Sequence, residues 1–357
     1  MGISHDIGLF FPFKVNRPLT AEEKKRRFVQ GRRRRCPGEA AVLDFETVIR
    51  INTTYLEVID KFHSTRGMIT AFIMGFCIMI VFFLSVITKI VIFNNGSILG
   101  FIFYFVAFGI CFYFLIRILL KEWFRYTHYP VRFNRKTRQV HIFQVSGEII
   151  TVPWNKIYFT TNRQRLNECI VGHILAEDND TVLNTFSFGH VGTRDELSRY
   201  WEFIRCYMEE DCVAELAATV LYCPPVEYGR EGYITGLQML LQVESRLEWL
   251  PTLLLLPLSL VESVSRYIGT QTSRRPQWSA EVEMACRPEP GDPVNVGAEH
   301  NGPGRWRTVL ANEPRAVYDA KNQYLKDANQ KIRDKMAHNR AMNVTMSGTT
   351  GDSNTWG

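Results

Sequence analysis

"KIVIFNNGSILGFIF", Lys89 to Phe103, passes from one apolar segment through Asn94 to Ser97 straight into another, and its reading decides the fold. No charge appears from Met68 to Thr88, nor from Ile90 to Ile116. Each stretch supplies about 20 apolar residues, which as a helix rising about 1.5 Å per residue cross about 30 Å of hydrocarbon. Buried strands run to about 4–8 residues, and the breaks that a strand reading needs are missing here. The segment therefore predicts the tip of a transmembrane hairpin with spans at 67–93 and 97–120.

Charge placement orients that hairpin. Lys61 and Arg66 precede the first span and Arg117, Lys121 and Arg125 follow the second, whereas only Lys89 lies near the tip. The positive-inside tendency then puts both termini in the cytoplasm and the tip outside. Lys89 is close enough to the tip to snorkel to the interface. The opening "MGISHDIGLFFPF" has no basic region, so no cleavable signal is expected, and Asp6 stands where myristoylation needs Ser or Thr. Ala71 and Gly75 are spaced for close contact between helices, which points to weak self-association.

The bulk numbers, 357 residues with a net charge of +6 and 46% hydrophobic residues, exclude neither a soluble nor a membrane chain, so local pattern has to decide. The basic N-terminal segment, 1–42, contains "EEKKRRFVQGRRRR", with Lys24, Lys25, Arg26, Arg27, Arg32, Arg33, Arg34 and Arg35. It lacks a nucleic-acid-binding module and regular aromatic interleaving, so no nucleic-acid partner is expected. Next to a bilayer such a run meets anionic lipid headgroups, at about 1 kcal/mol per charge that reaches the surface, or stays a solvated tail. In the following segment, 43–66, Val48, Ile51, Tyr55, Leu56, Ile59 and Phe62 recur at helical spacing and predict an amphipathic stem.

After the second span the period changes. Tyr129–Asn134, Gln139–Gln144, Glu148–Pro153, Lys156–Thr161, Glu168–Ala176 and Thr181–Phe188 are short runs rich in β-branched and aromatic residues, separated by the turn signals "NRKTR", "SGE" and "EDND". "TRDE" then places Thr193 as a helix N-cap with Glu196 three residues on. Leu197, Tyr200, Trp201, Ile204, Tyr207 and Met208 form the apolar stripe of that helix. The fold class expected is an α+β membrane protein: a two-helix hairpin, then a small antiparallel β-barrel or roll over 122–222 closed by its C-terminal helix. Arg132, Arg135, Lys136 and Arg138 in the first hairpin of the sheet either rest on anionic headgroups or keep a turn soluble.

This order of elements resembles the pleckstrin-homology-like domains of bacterial membrane proteins. "FKVNRPLTAEEK", "VIRINTTYLEVIDKF", "VRFNRKTRQVHIF" and "VPWNKIYF" resemble, more particularly, an uncharacterised family of Gram-negative inner-membrane proteins whose members often accompany type VI secretion and Rhs-type toxin genes. The resemblance covers about residues 10–225. It implies an immunity or accessory protein whose partner is a toxin or a secretion component, and it implies no functional residues.

No phosphate-binding glycine loop, GxSxG, HExxH or CxxC pattern is present, so no catalytic, cofactor or metal site is expected. The eight cysteines are scattered, with Cys77 and Cys111 inside the spans, and disulfides are not expected. His190 lies near Asp195 and Glu196 and reads as a loop histidine beside a helix cap; His128, His141 and His173 read as structural.

In the helical region 223–285 the apolar run Trp249–Val261 is interrupted by Pro251 and Pro257. It is too short and broken for a third span and is expected to pack on the domain or lie in the interface. A Pro/Gly-rich linker is expected at 286–311 and a charged helix at 312–342, striped by Val317, Leu325, Ala328, Ile332 and Met336. That helix lies on the domain surface or docks a partner. The tail 343–357 is expected to be disordered. The function expected is a non-catalytic inner-membrane protein that displays its cytoplasmic domain to a protein partner. The rivals are an immunity protein that neutralises a membrane-acting toxin through the hairpin itself, and an enzyme without a familiar motif.

Overall fold

A computed structural model of the chain describes residues 13–34, 41–63, 66–93, 96–164, 167–227, 229–245, 249–301 and 315–349. The first part of the chain contains β1 (Arg17–Pro18), α1 (Ala21–Lys25), β2 (Val48–Asn52), β3 (Tyr55–Val58) and the long helices α2 (Met68–Phe93) and α3 (Ile98–Leu119). Next come β4 (Val131–Asn134), β5 (Gln139–Phe143), β6 (Ile149–Pro153), β7 (Ile157–Gln164), β8 (Asn167–Leu175) and β9 (Thr181–Gly192). The remainder is α4 (Arg194–Glu209), α5 (Val213–Thr219), α6 (Tyr233–Ser245), α7 (Trp249–Thr272), α8 (Ala280–Ala285), β10 (Asn295–Gly297) and α9 (Arg315–Thr349).

All six strands expected after the second apolar helix are present, but they do not close into a barrel. After β6 a 3-10 turn at Trp154–Lys156 sends the chain into a second sheet. The result is two antiparallel sheets, β10-β2-β3-β4-β5-β6 and β1-β9-β8-β7, which share one core. Helix α4 fills that core: Trp201 stacks on Trp154 at 5.6 Å and lies 4.9 Å from Phe159 and 5.2 Å from Phe28. The sequence signal for α4 holds, since Thr193 and Glu196 form the reciprocal capping box. Gly189 has φ +77°, and a Cβ there would sit 2.1 Å from the Tyr200 ring, so glycine is what lets β9 pass under α4.

The expected helical stem is a β-hairpin instead. Asn52 Oδ1 accepts hydrogen bonds from the backbone N–H groups of Thr54 and Tyr55, which turns the chain between β2 and β3. Val48, Ile51, Leu56 and Val58 then enter the shared core, while Ile49 packs with Ile59 and Val226 on the other face. A segment buried on both faces produces an apolar spacing that helical and extended chains share.

α2 and α3 are long and apolar enough to cross a membrane, and almost none of their apolar length is buried within the chain. Thr70, Ile73 and Ile80 form the buried line on α2. α7 is longer than its apolar run suggests, because Pro251 falls in the first turn, where a missing N–H costs nothing, and the helix carries Pro257 through its interior. It packs on α6 and on α2.

One C-terminal expectation needs correction: the tail is helical through Thr349 rather than disordered from 343. The Pro/Gly-rich linker is extended in part and contributes β10, which pairs with β2. α9 is a surface helix docked by Ala328, Ile332 and Met336, with Asn329 Oδ1 accepting from the backbone N–H of Ala41 and Val42. Residues 350–357 and 302–311 lie outside the described residues.

Candidate functional site: the polar junction beneath the apolar helices

The start of α2, the end of α3 and the C-terminal half of α7 meet in a layer of buried polar side chains. Glu122, just past α3, caps α2: one carboxylate oxygen accepts from the Gly67 N–H and the other from the Thr70 N–H at 3.1 Å and its hydroxyl at 2.7 Å. A carboxylate there answers both the free N–H groups and the positive end of the helix dipole. Trp123 Nε1 donates to the same Thr70 oxygen.

Two buried arginines tie the layer to the domain. Arg66 donates to the carbonyls of Tyr126 and Thr127 and, at 2.6 Å, to Ser273 Oγ. Arg266, fully buried on α7, makes a two-pronged pair with Glu231 at 2.7 and 2.8 Å and donates to the His63 carbonyl at 2.6 Å. Gly67 has φ +90°, and a Cβ there would lie 2.6 Å from the Arg266 Cα, so the approach of α2 to α7 requires glycine.

Asp60 is the exception in this layer. Its two oxygens are buried without a hydrogen-bond partner among the described residues. Burial pushes its pKa up to about 7, against the pull of Arg66 and of the nearby His63 and Tyr129 backbone N–H groups. It borders a cleft of about 250 Å³ with Phe62, Tyr129, Phe143 and Phe186. Burial, Arg266, His128 and Arg66 hold His63 well below its usual range, and burial with Arg66 and Arg275 lowers His128 to about 3.

The basic residues marked in the sequence are largely spent on the protein itself. Lys24 pairs with Asp180 and Arg26 with Glu168, both at 2.8 Å; Arg27 lies 4.7 Å over the Tyr158 ring and Arg34 4.2 Å over Phe28. Residues 13–34 are therefore no free tail, since β1 pairs with β9 and Phe28 sits in the core. Lys25, Arg32 and Arg33 are exposed, and Arg35 lies outside the described residues. Arg132 is not on the surface: it is buried between Tyr55 at 4.5 Å and Trp278 at 4.8 Å and paired with Glu57 at 2.8 Å. Arg135 donates to the Glu210 carbonyl, Lys136 pairs with Glu289 and Arg138 donates to the Met208 carbonyl. Of the two small residues on α2, Ala71 is half-buried, and Gly75 is exposed with nothing within 4 Å of the place a Cβ would take.

The histidines have local partners. His190 stacks on Phe45 at 4.8 Å while Glu196 is engaged at the cap. His141 shares a 2.8 Å hydrogen bond with Thr151, and His173 another with Thr185. The seven described cysteines are free thiols. One sequence signal for the junction was available: Arg66 is the last charge before the first span, and Glu122 the first acid after the second. Glu231 and Arg266 gave none, being 35 residues apart.

An α+β chain with two helices long and apolar enough for a membrane, joined to a two-sheet domain through a layer of buried polar side chains, is the class these observations define. The chain belongs to a family of unknown function (DUF6708), whose match covers residues 108–290, from α3 through α8. No curated protein and no solved structure matches it significantly.

Proposed function

We propose that α2 and α3 anchor the chain in the bacterial inner membrane and that the two-sheet domain, held rigidly at the cytoplasmic face, docks a protein partner without catalysing a reaction. The observation that carries this reading is the apolar surface of α2 and α3, open along nearly its whole length. Each fully exposed Phe, Ile or Leu left in water forgoes about 1.5–3 kcal/mol of burial. Arg117, Lys121 and Arg125 beside the domain, against Lys89 at the tip, support a cytoplasmic domain and an external tip. By the resemblance of its sequence, the partner is a toxin or secretion component of a type VI system, and the role is accessory or immune. A reporter inserted at Asn95 tests the orientation: activity on the outer side supports it, and activity in the cytoplasm contradicts it.

A second reading has the hairpin itself neutralise a membrane-acting toxin, favoured by the open notch at Gly75 on α2. Exchanging the hairpin for an unrelated one separates the two. Protection that survives the exchange assigns the role to the domain.

A further inference from the structure

The surface of α7 is inverted relative to a helix of a water-soluble domain. Its inward face is polar: the small residues Ser259, Ser263 and Ser265, with Arg266 and, beyond its end, Ser273, are fully buried. Its outward face is apolar: Leu258 is 57% exposed, Val261 52%, Val264 41% and Tyr267 41%. Small polar residues between helices and large apolar ones outside is the arrangement of helices that face lipid. α7 also runs alongside α2 and away from the junction. Ser273 sits at Glu122, Arg266 at Gly67, and Ser265 Oγ reaches Met74 Sδ at 3.7 Å.

At the junction end of this helix an open cleft of about 940 Å³ is lined by Tyr126, Gly147, Arg230, Gln271, Arg274 and Arg275. All three arginines are exposed and make no ion pair with the described residues; Arg275 makes only a 3.4 Å hydrogen bond to the Glu227 carbonyl. The acids nearby in sequence, Glu227 and Glu231, are taken by Arg50 and Arg266. Gln271 joins the two features, because it lines the cleft and lies on the helical face of Tyr267, Val264 and Leu260 at spacings of four, seven and eleven residues. The cationic cleft and the apolar stripe are thus consecutive parts of one surface.

We infer that this surface is a binding site for one anionic phospholipid, with the phosphate held by Arg230, Arg274 and Arg275 and the acyl chains laid along the outward stripe of α7. Arginine suits the role, since its planar fork pairs with two phosphate oxygens at once. The apolar stripe selects a lipid over a soluble phosphate. The inference rests on the membrane reading above.

The test uses the full chain in neutral detergent micelles, titrated with phosphatidylglycerol, phosphatidylcholine or inorganic phosphate and followed by native mass spectrometry. Phosphatidylglycerol is expected to be retained in preference to phosphatidylcholine, and R230Q/R274Q/R275Q to bind it about a hundredfold more weakly. V261S/V264S, outside the cleft, is expected to weaken phosphatidylglycerol while leaving any phosphate response unchanged. Equal retention of both lipids, an unaltered triple variant, or full competition by inorganic phosphate would each overturn the site. Sedimentation keeps the two ideas apart: wild type and variant that both pellet with membranes leave anchoring intact even if lipid selectivity fails, and a wild type that does not pellet counts against anchoring whatever the lipid result.

Discussion

Replacing Asp60 with Asn should stabilise the protein, and increasingly so as the pH rises. The buried carboxyl has no hydrogen-bond partner among the described residues, and its pKa is pushed from the ordinary 3.8 to about 7. That difference corresponds to at most about 4 kcal/mol. The folded carboxyl keeps its proton where the unfolded one has lost it. The stability carried by the protonated form is therefore complete below about pH 4 and is lost as pH climbs through 7. Lys61, Arg66, His63 and Tyr129 surround Asp60, and the two lowered histidines act with the opposite sign. His63 and His128 contribute stability above pH 6.5 that is lost as pH falls below it. The wild-type profile mixes these effects, but the difference between Asp60→Asn and wild type isolates the carboxyl. A fixed packing penalty for Asn would shift that difference without tilting it. Thermal unfolding in detergent, followed by tryptophan fluorescence from pH 5 to 7.5, should show the variant gaining about 3 kcal/mol on wild type over this range, or about 5–10 °C. A difference that stays constant across the range would refute the reasoning.

Arg266→Leu should cost about 3–5 kcal/mol in the same assay, because it strands buried Glu231, whereas Lys24→Gln, which breaks an exposed pair, should leave the melting temperature nearly unchanged. Similar losses for the two would mean that the junction is not held by its buried ion pair. Gly189→Ala should cost about 3 kcal/mol or more, combining a left-handed backbone with collision against Tyr200. Gly291→Ala, at φ +76° with open space around it, should cost only the backbone's about 1–2 kcal/mol, and equal melting temperatures for the two variants would contradict the packing of β9 under α4.

The two apolar helices, the strands β4 to β9 and the helix α4 were legible because each depends on local signals: an uninterrupted apolar run, alternation between turns, and a cap that Thr193 and Glu196 complete within four residues. What stayed hidden depends on distant partners. Arg132 and Glu57 are 75 residues apart and Arg26 and Glu168 are 142 apart, so an arginine that looks free in the sequence is buried or paired in the fold. β2 and β3 do not read as strands because burial on both faces erases alternation, and the turn between them rests on the Asn52 side chain rather than on a Gly or Pro signal. The barrel failed to close because the chain changes sheets at Trp154–Lys156, a rearrangement with no period of its own.

The central claim is that lipid surrounds α2 and α3. Ultracentrifugation of cell extract after an alkaline carbonate wash, with no detergent present, tests it most directly. The account predicts the untagged chain in the pellet, released only by detergent; recovery in the supernatant as a dispersed protein would contradict it.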